Sequence, residues 1–207
     1  MQEITIQLFD FDELSEAAQE RAVDAIREQL AGPWWDSGDI DDITAVMTST
    51  LAEKLGTPGW DSYGVADFPG IPDVRVVGWD ISRGGSIAVT GILTRDNAPA
   101  LPWDEGIDRV ELAGYRSDTT TVTPHDMVLD CTCTPGHYLL AHDEDCAALS
   151  CAPVTDEQRD DLEHAVRDAL HDAWSAGGTE HDYKTGEQWA REVAANHQFT
   201  EDGAFYQ

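Results

Sequence analysis

The chain combines 207 residues with a formal net charge of −29 at pH 7, built from 41 Asp and Glu against 12 Lys and Arg. A compact chain of this length has a diameter of about 43 Å, and duplex DNA of the same length carries about 25 negative charges. Because like charges repel, the composition argues against duplex DNA and anionic membranes as direct ligands and favours a basic protein as partner. The excess of Asp and the scarcity of Lys fit adaptation to a high-salt solvent or a G+C-rich genome equally well.

A folded core is expected despite this charge. Apolar residues make up 41% of the chain, and seven of its residues are Trp, which argues against wholesale disorder. No run of 18 apolar residues is present, so no transmembrane helix is predicted. The first residues contain neither a cationic nor an apolar signal region, which predicts a cytoplasmic protein whose four cysteines are thiols or metal ligands.

The N-terminal part of the chain predicts one strand and two helices. Apolar and polar residues alternate over residues 4–8, which indicates a short opening strand. Ser15 is a good N-cap for the first helix. The second helix is predicted to follow Asp42 and to end at Gly56, a residue type that commonly terminates helices.

The middle of the chain predicts an antiparallel meander, and the C-terminal part predicts two helices. Alternating apolar residues indicate strands near residues 74–79, 87–93, 110–112 and 119–123, with another at 127–133. Thr155 is expected to cap a long helix, and Thr185 with Gln188 has the spacing of a capping box for the last one. We therefore predict an α+β fold, a mostly antiparallel sheet packed with about four helices on one face. The chain is predicted to form a single domain, 1–207, with an insertion at about 96–150.

A cluster of cysteines and histidines within that insertion is the candidate metal site. Cys131 and Cys133 form one close pair and Cys146 and Cys151 a second, and zinc is commonly held by two such pairs. Alternative imidazole ligands are His137 and His142. Neither pair has the common C-x2-C spacing, and the alternation of residues 127–133 equally suits thiols buried in a strand. A zinc ion held here would be structural.

Two groups of carboxylates are the candidate partner-binding surface. The first group precedes or begins the second helix and comprises Asp36, Asp39, Asp41 and Asp42. The second lies on the predicted outer face of the helix after Thr155 and comprises Asp160, Asp161, Glu163, Asp168 and Asp172. The alternative interpretation is that both groups are ordinary solvated surface, because acids near helix N-termini also complement the helix dipole. No catalytic residue is predicted, since the sequence contains no nucleophile, phosphate-binding or dinucleotide-binding motif.

Two segments and a hairpin resemble a family of small phage and prophage proteins. Residues 11–22, FDELSEAAQERA, resemble the family's opening helix, and the following Trp34, Trp35 and Asp36 resemble its Trp-rich segment. Residues 199–203, FTEDG, are similar to its C-terminal end, and residues 77–91 to its central hairpin. The resemblance does not extend to residues 96–150. It implies a phage-borne accessory protein, some relatives being labelled antitoxin-like, and it carries no catalytic residues.

Charge and resemblance together give the functional hypotheses. The first is an acidic phage-encoded binding protein that acts in the host cytosol on a DNA-binding or defence factor of the restriction or CRISPR type, by DNA mimicry or simple inhibition. The second is an antitoxin-like protein that neutralises a basic toxin. The third is a metal-dependent enzyme that uses the Cys and His region. The fourth is a housekeeping protein whose acidity reflects only its solvent or genome.

Overall fold

The computed structural model describes residues 7–30, 37–58, 71–81, 86–103, 106–114, 120–126 and 155–205. In these residues four α-helices accompany two antiparallel sheets, which confirms the predicted α+β class. The helices are α1 (Glu16–Leu30), α2 (Ser37–Leu55), α3 (Asp156–Lys184) and α4 (Glu187–Ala194). The strands are β1 (Phe9–Asp10), β2 (Val74–Asp80), β3 (Ser86–Thr94), β4 (Ile107–Ala113), β5 (Thr121–Asp126) and β6 (Gln198–Phe199).

The chain divides into two compact units. The terminal unit comprises Met1–Ile43 and Gly178–Gln207, and the central unit comprises Thr44–Gly177. Both α2 and α3 contribute residues to each unit. Of the segment predicted as an insertion, β4 and β5 belong to the sheet of the central unit, and residues 127–154 lie outside the described residues.

The terminal unit is held together by α1, α4 and the pairing of two short strands. β1 pairs antiparallel with β6, so that Phe9 lies opposite Phe199. The side chains packed between these elements are mostly small or aromatic and fully buried: Phe11, Ala18, Ala22, Val23, Ile26, Ala190, Ala194 and Phe199. The Ser15 Oγ accepts a hydrogen bond from the Ala18 amide at 3.4 Å, which confirms the predicted N-cap of α1.

The central unit is built on a four-stranded antiparallel sheet in the order β2-β3-β4-β5, which confirms four strands of the predicted meander. The further strand predicted at 127–133 lies outside the described residues. Successive side chains point to opposite faces, and burial follows this alternation over 109–113 of β4, whereas Ile87, Ala88 and Val89 of β3 are all buried. The buried face carries the apolar core residues Ile87, Val89, Leu93, Val110, Leu112 and Val122. The other face, which we call the outward sheet face, is exposed at Arg75, Thr90, Ile92, Arg109, Glu111 and Thr123, whereas Ala88 on the same face is buried.

Within the central unit, α2 and α3 are tied to the sheet and to each other. The Trp79 indole of β2 donates a hydrogen bond to Thr44 Oγ1 of α2 at 3.1 Å. The Trp174 indole of α3 donates to the Asp80 carbonyl at 3.0 Å. α3 also lies so close to α2 that a Cβ at Gly177 would stand 2.2 Å from the Met47 methyl carbon. These contacts fix which face of α3 is buried.

Three predicted boundaries were wrong. α2 begins at Ser37, not after Asp42, so Asp42 lies in its second turn. The Thr185 hydroxyl donates to the His181 carbonyl at 2.9 Å instead of capping α4, because α3 continues to Lys184 and Thr185 follows its last turn. The first strand within the described residues is β1 at Phe9–Asp10, and Leu8, the end of the predicted opening strand, lies outside it. Residues 1–6 lie outside the described residues.

Candidate partner-binding surface

The acidic stretch of α3 is positioned by a capping box at the start of the helix. The Thr155 hydroxyl accepts a hydrogen bond from the Gln158 amide at 3.3 Å. In return, Gln158 Oε1 accepts one from the Thr155 amide at 2.7 Å. Each bond satisfies an N–H that the first turn leaves without an intrahelical partner. The predicted cap is thereby confirmed, and the helix begins at Asp156.

The core decides which residues of α3 face solvent. Its inner face buries apolar side chains at helical spacing: Leu162, Val166, Ala169, Leu170 and Ala173. With 3.6 residues per turn, the opposite side of the helix carries Glu157, Asp160, Asp161, His164 and Asp168. All five are exposed. The carboxylates among them, Glu157, Asp160, Asp161 and Asp168, form what we call the α3 acidic face.

The α3 acidic face is a row of charges on one rigid element. Glu157 and Asp168 are eleven residues apart, which corresponds to about 16 Å along the helix axis. The four carboxylates are thus spaced by about 5.5 Å on average, against about 3.4 Å of axis per phosphate along one DNA strand. The number of negative charges per ångström along this row is therefore more than half of that along one DNA strand. It presents a strong negative potential to a cationic surface.

Most of these carboxylates have no cation beside them. Glu157, Asp160 and Asp161 form no ion pair with the residues that the structure describes. Asp168 contacts only a histidine in that part of the chain, with His164 Nε2 at 3.7 Å, and both side chains are more than two-thirds exposed. Their charge is consequently available to an external partner.

Two of the carboxylates predicted to bind a partner are engaged within the chain. Glu163 forms an ion pair with Arg167 one turn later, at 2.7 Å. Asp172 forms one with Lys54 of α2, also at 2.7 Å. The hydrogen bond between Lys54 and Asp172 lowers the pKa of the Asp172 carboxyl and raises the pKa of the Lys54 ammonium. Both acids are therefore paired with a cation of this chain, and we exclude them from the α3 acidic face.

The first predicted group of acids is also divided by the structure. Asp42 Oδ2 accepts a hydrogen bond from Lys184 Nζ at 2.6 Å, and the Lys184 side chain is only 6% exposed. The same ammonium lies 5.0 Å from the centre of the Trp189 ring. Asp42 thus compensates a buried lysine. Asp41 is exposed on α2. The positions of Asp36 and the side chain of Asp39 lie outside what the structure describes.

The candidate metal site lies outside the described residues. Cys131, Cys133, Cys146 and Cys151, with His137 and His142, all fall within residues 127–154. In the ranges that the structure does describe, no three His, Cys, Asp or Glu side chains are grouped so as to hold a metal ion.

Comparison with known proteins adds no family or fold assignment. The chain matches no protein-family model, no curated protein and no solved structure. Over the ranges that the structure describes, every helix is too short or too polar to cross a membrane.

Sequence reasoning missed one acid and two pairings. Glu157 lies on the same side of α3 as Asp160 and Asp161, which its spacing of three and four residues indicates. Lys54 and Lys184 are the only lysines of the chain. Each is paired with an acid that the sequence assigned to partner binding. The scarcity of lysine indicates that each lysine pairs with an acid, although the sequence does not identify which acid.

Proposed function

We propose that this chain is an acidic, phage-encoded binding protein that acts in the host cytosol and inhibits or redirects a DNA-binding or defence factor. The observation that carries the proposal is the α3 acidic face, whose carboxylates are exposed on one side of a capped helix. The net charge of −29 supports electrostatic steering toward a basic surface. The similarity of residues 11–22 and 199–203 to phage accessory proteins supports the phage origin.

The expected contact is between the α3 acidic face and the basic groove of a nucleic-acid-binding protein. Arg and Lys side chains that bind phosphates recognise carboxylates by the same charge-assisted hydrogen bonds. Because the carboxylates of the face are less closely spaced than phosphates, the chain would imitate one DNA strand only in part. Affinity for such a partner should fall steeply with salt, as exposed charges are screened within about 10 Å at 0.1 M.

The experiment compares two charge-matched variants for retention of host proteins. The test variant combines Asp160→Asn, Asp161→Asn and Asp168→Asn. The control variant combines Glu20→Gln, Asp24→Asn and Glu28→Gln, three exposed acids along one side of α1. Each removes three negative charges, so the variants differ in where charge is lost and not in how much.

Proteins retained from nuclease-treated lysate are identified, purified and titrated against both variants at low and high salt. We expect the test variant to lose about 10-fold or more in affinity and the control to lose much less. Duplex DNA should compete with the wild-type chain for the same partner. Equal losses for the two variants, or no salt dependence, would contradict the proposal. A retained basic toxin that does not bind DNA would instead support the antitoxin-like alternative.

A further inference from the structure

The outward sheet face differs from the rest of the surface in its cations. The structure describes ten of the 12 Lys and Arg, all except Arg83 and Arg116. Eight of these bind a carboxylate or a backbone carbonyl: Arg21, Arg27, Lys54, Arg95, Arg159, Arg167, Lys184 and Arg191. The side chains of Arg75 and Arg109 contact no carboxylate or carbonyl in the described part of the chain, and both residues lie on the outward sheet face.

Exposed aliphatic side chains lie between and beside these two arginines. Arg75 is paired with Thr90, and Arg109 with Thr94, so Ile92 is halfway between them on β3. Ile92 is 39% exposed, and Val77 of β2 is 52% exposed. The sheet spacing places the two arginines about 16 Å apart, on either side of Ile92. Exposed aliphatic residues combined with guanidinium groups that have no partner among the described residues are typical of an interface rather than of solvated surface.

The same face is complementary to itself in charge. Arg109 and Glu111 are two residues apart on β4, so their side chains lie next to each other on the outward face. Consider two copies stacked face to face and related by a two-fold axis that lies between them and runs across β4 at the level of Val110. This axis would place Arg109 of each copy opposite Glu111 of the other. One oxygen of Glu111, Oε2, lies 3.2 Å from His125 Nε2, which leaves Oε1 for the second copy.

We propose that the outward sheet face binds a second copy of this chain, as a two-fold symmetric dimer. The four-stranded face measures about 19 Å by 17 Å, so two copies in contact would bury roughly 650 Å² in total, less than the roughly 1,200 Å² of standard interfaces. The dimer is therefore weak, and repulsion between two copies of charge −29 opposes it. Salt screens that repulsion, so dimerisation strengthens with salt, whereas docking through the α3 acidic face weakens.

The test is sedimentation equilibrium of the full chain, up to about 1 mM protein because a small interface binds weakly. The measurement is made at low salt and at about 1 M salt. We expect a dimer at both, with an association constant at least about 10-fold larger at about 1 M salt. Arg109→Glu and Glu111→Arg should each be monomeric, since each places like charges opposite one another. Mixing these two variants should restore a dimer, because opposite charges then meet at both positions.

Arg27→Glu is the matched control for Arg109→Glu, because it makes the same change of charge at an exposed site on α1. Circular dichroism establishes that each variant is folded. A chain that stays monomeric at every salt concentration would overturn the proposal. So would a dimer that survives Arg109→Glu, or two monomeric variants that fail to associate on mixing.

Discussion

The ammonium nitrogen of Lys54 on α2 lies 2.7 Å from the Oδ2 atom of Asp172 on α3. The pair joins the two helices of the central unit at a half-exposed position. It also limits the surface that a partner can use, because Asp172 lies at the edge of the α3 acidic face and its charge is cancelled there by Lys54. The cationic partner that we propose should therefore contact the residues before Asp172.

The Lys54–Asp172 pair should make stability depend on pH at both ends of the scale. The pKa of Asp172 is lowered from its ordinary 3.8, so its contribution is present above that pH and is lost as pH falls through the lowered value. The pKa of Lys54 is raised from 10.5, so its contribution is present below that pH and is lost as pH rises through the raised value. Urea midpoints of wild type and Asp172→Asn should differ at pH 7 and converge below pH 3.8. A constant difference would contradict this.

Two adjacent glycines of α3 should respond oppositely to alanine. A Cβ at Gly177 would lie 2.6 Å from Met47 Cγ, and Met47 is fully buried, so Gly177→Ala should cost about 1–3 kcal/mol. A Cβ at Gly178 meets nothing within 4 Å, so Gly178→Ala should gain about 0.5–1 kcal/mol from helix propensity. Urea unfolding measures both. The cost of Gly177→Ala should shrink when it is combined with Met47→Val, and equal effects at both positions would show that helix propensity alone decides.

Removing the carboxylate of Asp42 should destabilise the fold more than removing that of its neighbour Asp41. Asp42→Asn leaves the buried Lys184 ammonium without its counter-charge, at a cost of about 1–2 kcal/mol after allowance for the exposure of Asp42. Asp41→Asn, an exposed site, should change stability by less than about 0.5 kcal/mol. The double variant Asp42→Asn with Lys184→Met should recover most of the loss. Thermal unfolding of the four chains gives the comparison, and equal effects of the two Asp variants would refute the pairing.

The turn after β6 should tolerate no side chain at Gly203. Its φ of +84° is a left-handed conformation, and a Cβ there would lie 2.2 Å from the Ala18 carbonyl oxygen of α1. Gly203→Ala should therefore cost about 2–3 kcal/mol, from backbone strain and the clash with α1. Gly78→Ala, where a Cβ would meet nothing within 4 Å, is the control and should have little effect. The measurement is the urea midpoint of each variant, and a neutral Gly203→Ala would mean that the turn can move away from α1.

Elements with strong periodicity or a good cap were predictable from sequence. Thr155 and Ser15 cap the helices that follow them, and the apolar face of α3 is buried as its spacing indicates. The last helix was predicted wrongly at its start because Thr185 and Gln188 have the spacing of a capping box. The capping box does not form because α3 continues further than predicted, which places the Thr185 hydroxyl beside the His181 carbonyl.

The location of the acidic surface could be predicted from sequence, but which of its carboxylates are free to bind a partner could not. Helical periodicity alone places Asp160, Asp161 and Asp168 on the outer side of α3. Whether an acid is paired depends on contacts between residues far apart in sequence, such as Asp42 with Lys184. For the same reason, the sequence does not indicate that Arg75 and Arg109 share a surface, because strand register places them there.

The pairing of β1 with β6 has a consequence for the order in which the chain folds during synthesis. The central unit, Thr44–Gly177, is one continuous segment and contains the elements that its own sheet needs. α1 is made early, yet its apolar side packs against α4 and Phe199, which leave the ribosome about 10–30 s later at ordinary elongation rates. During that interval α1 exposes Val23 and Ile26 to solvent, so the nascent chain is most open to chaperones and proteases at its first helix.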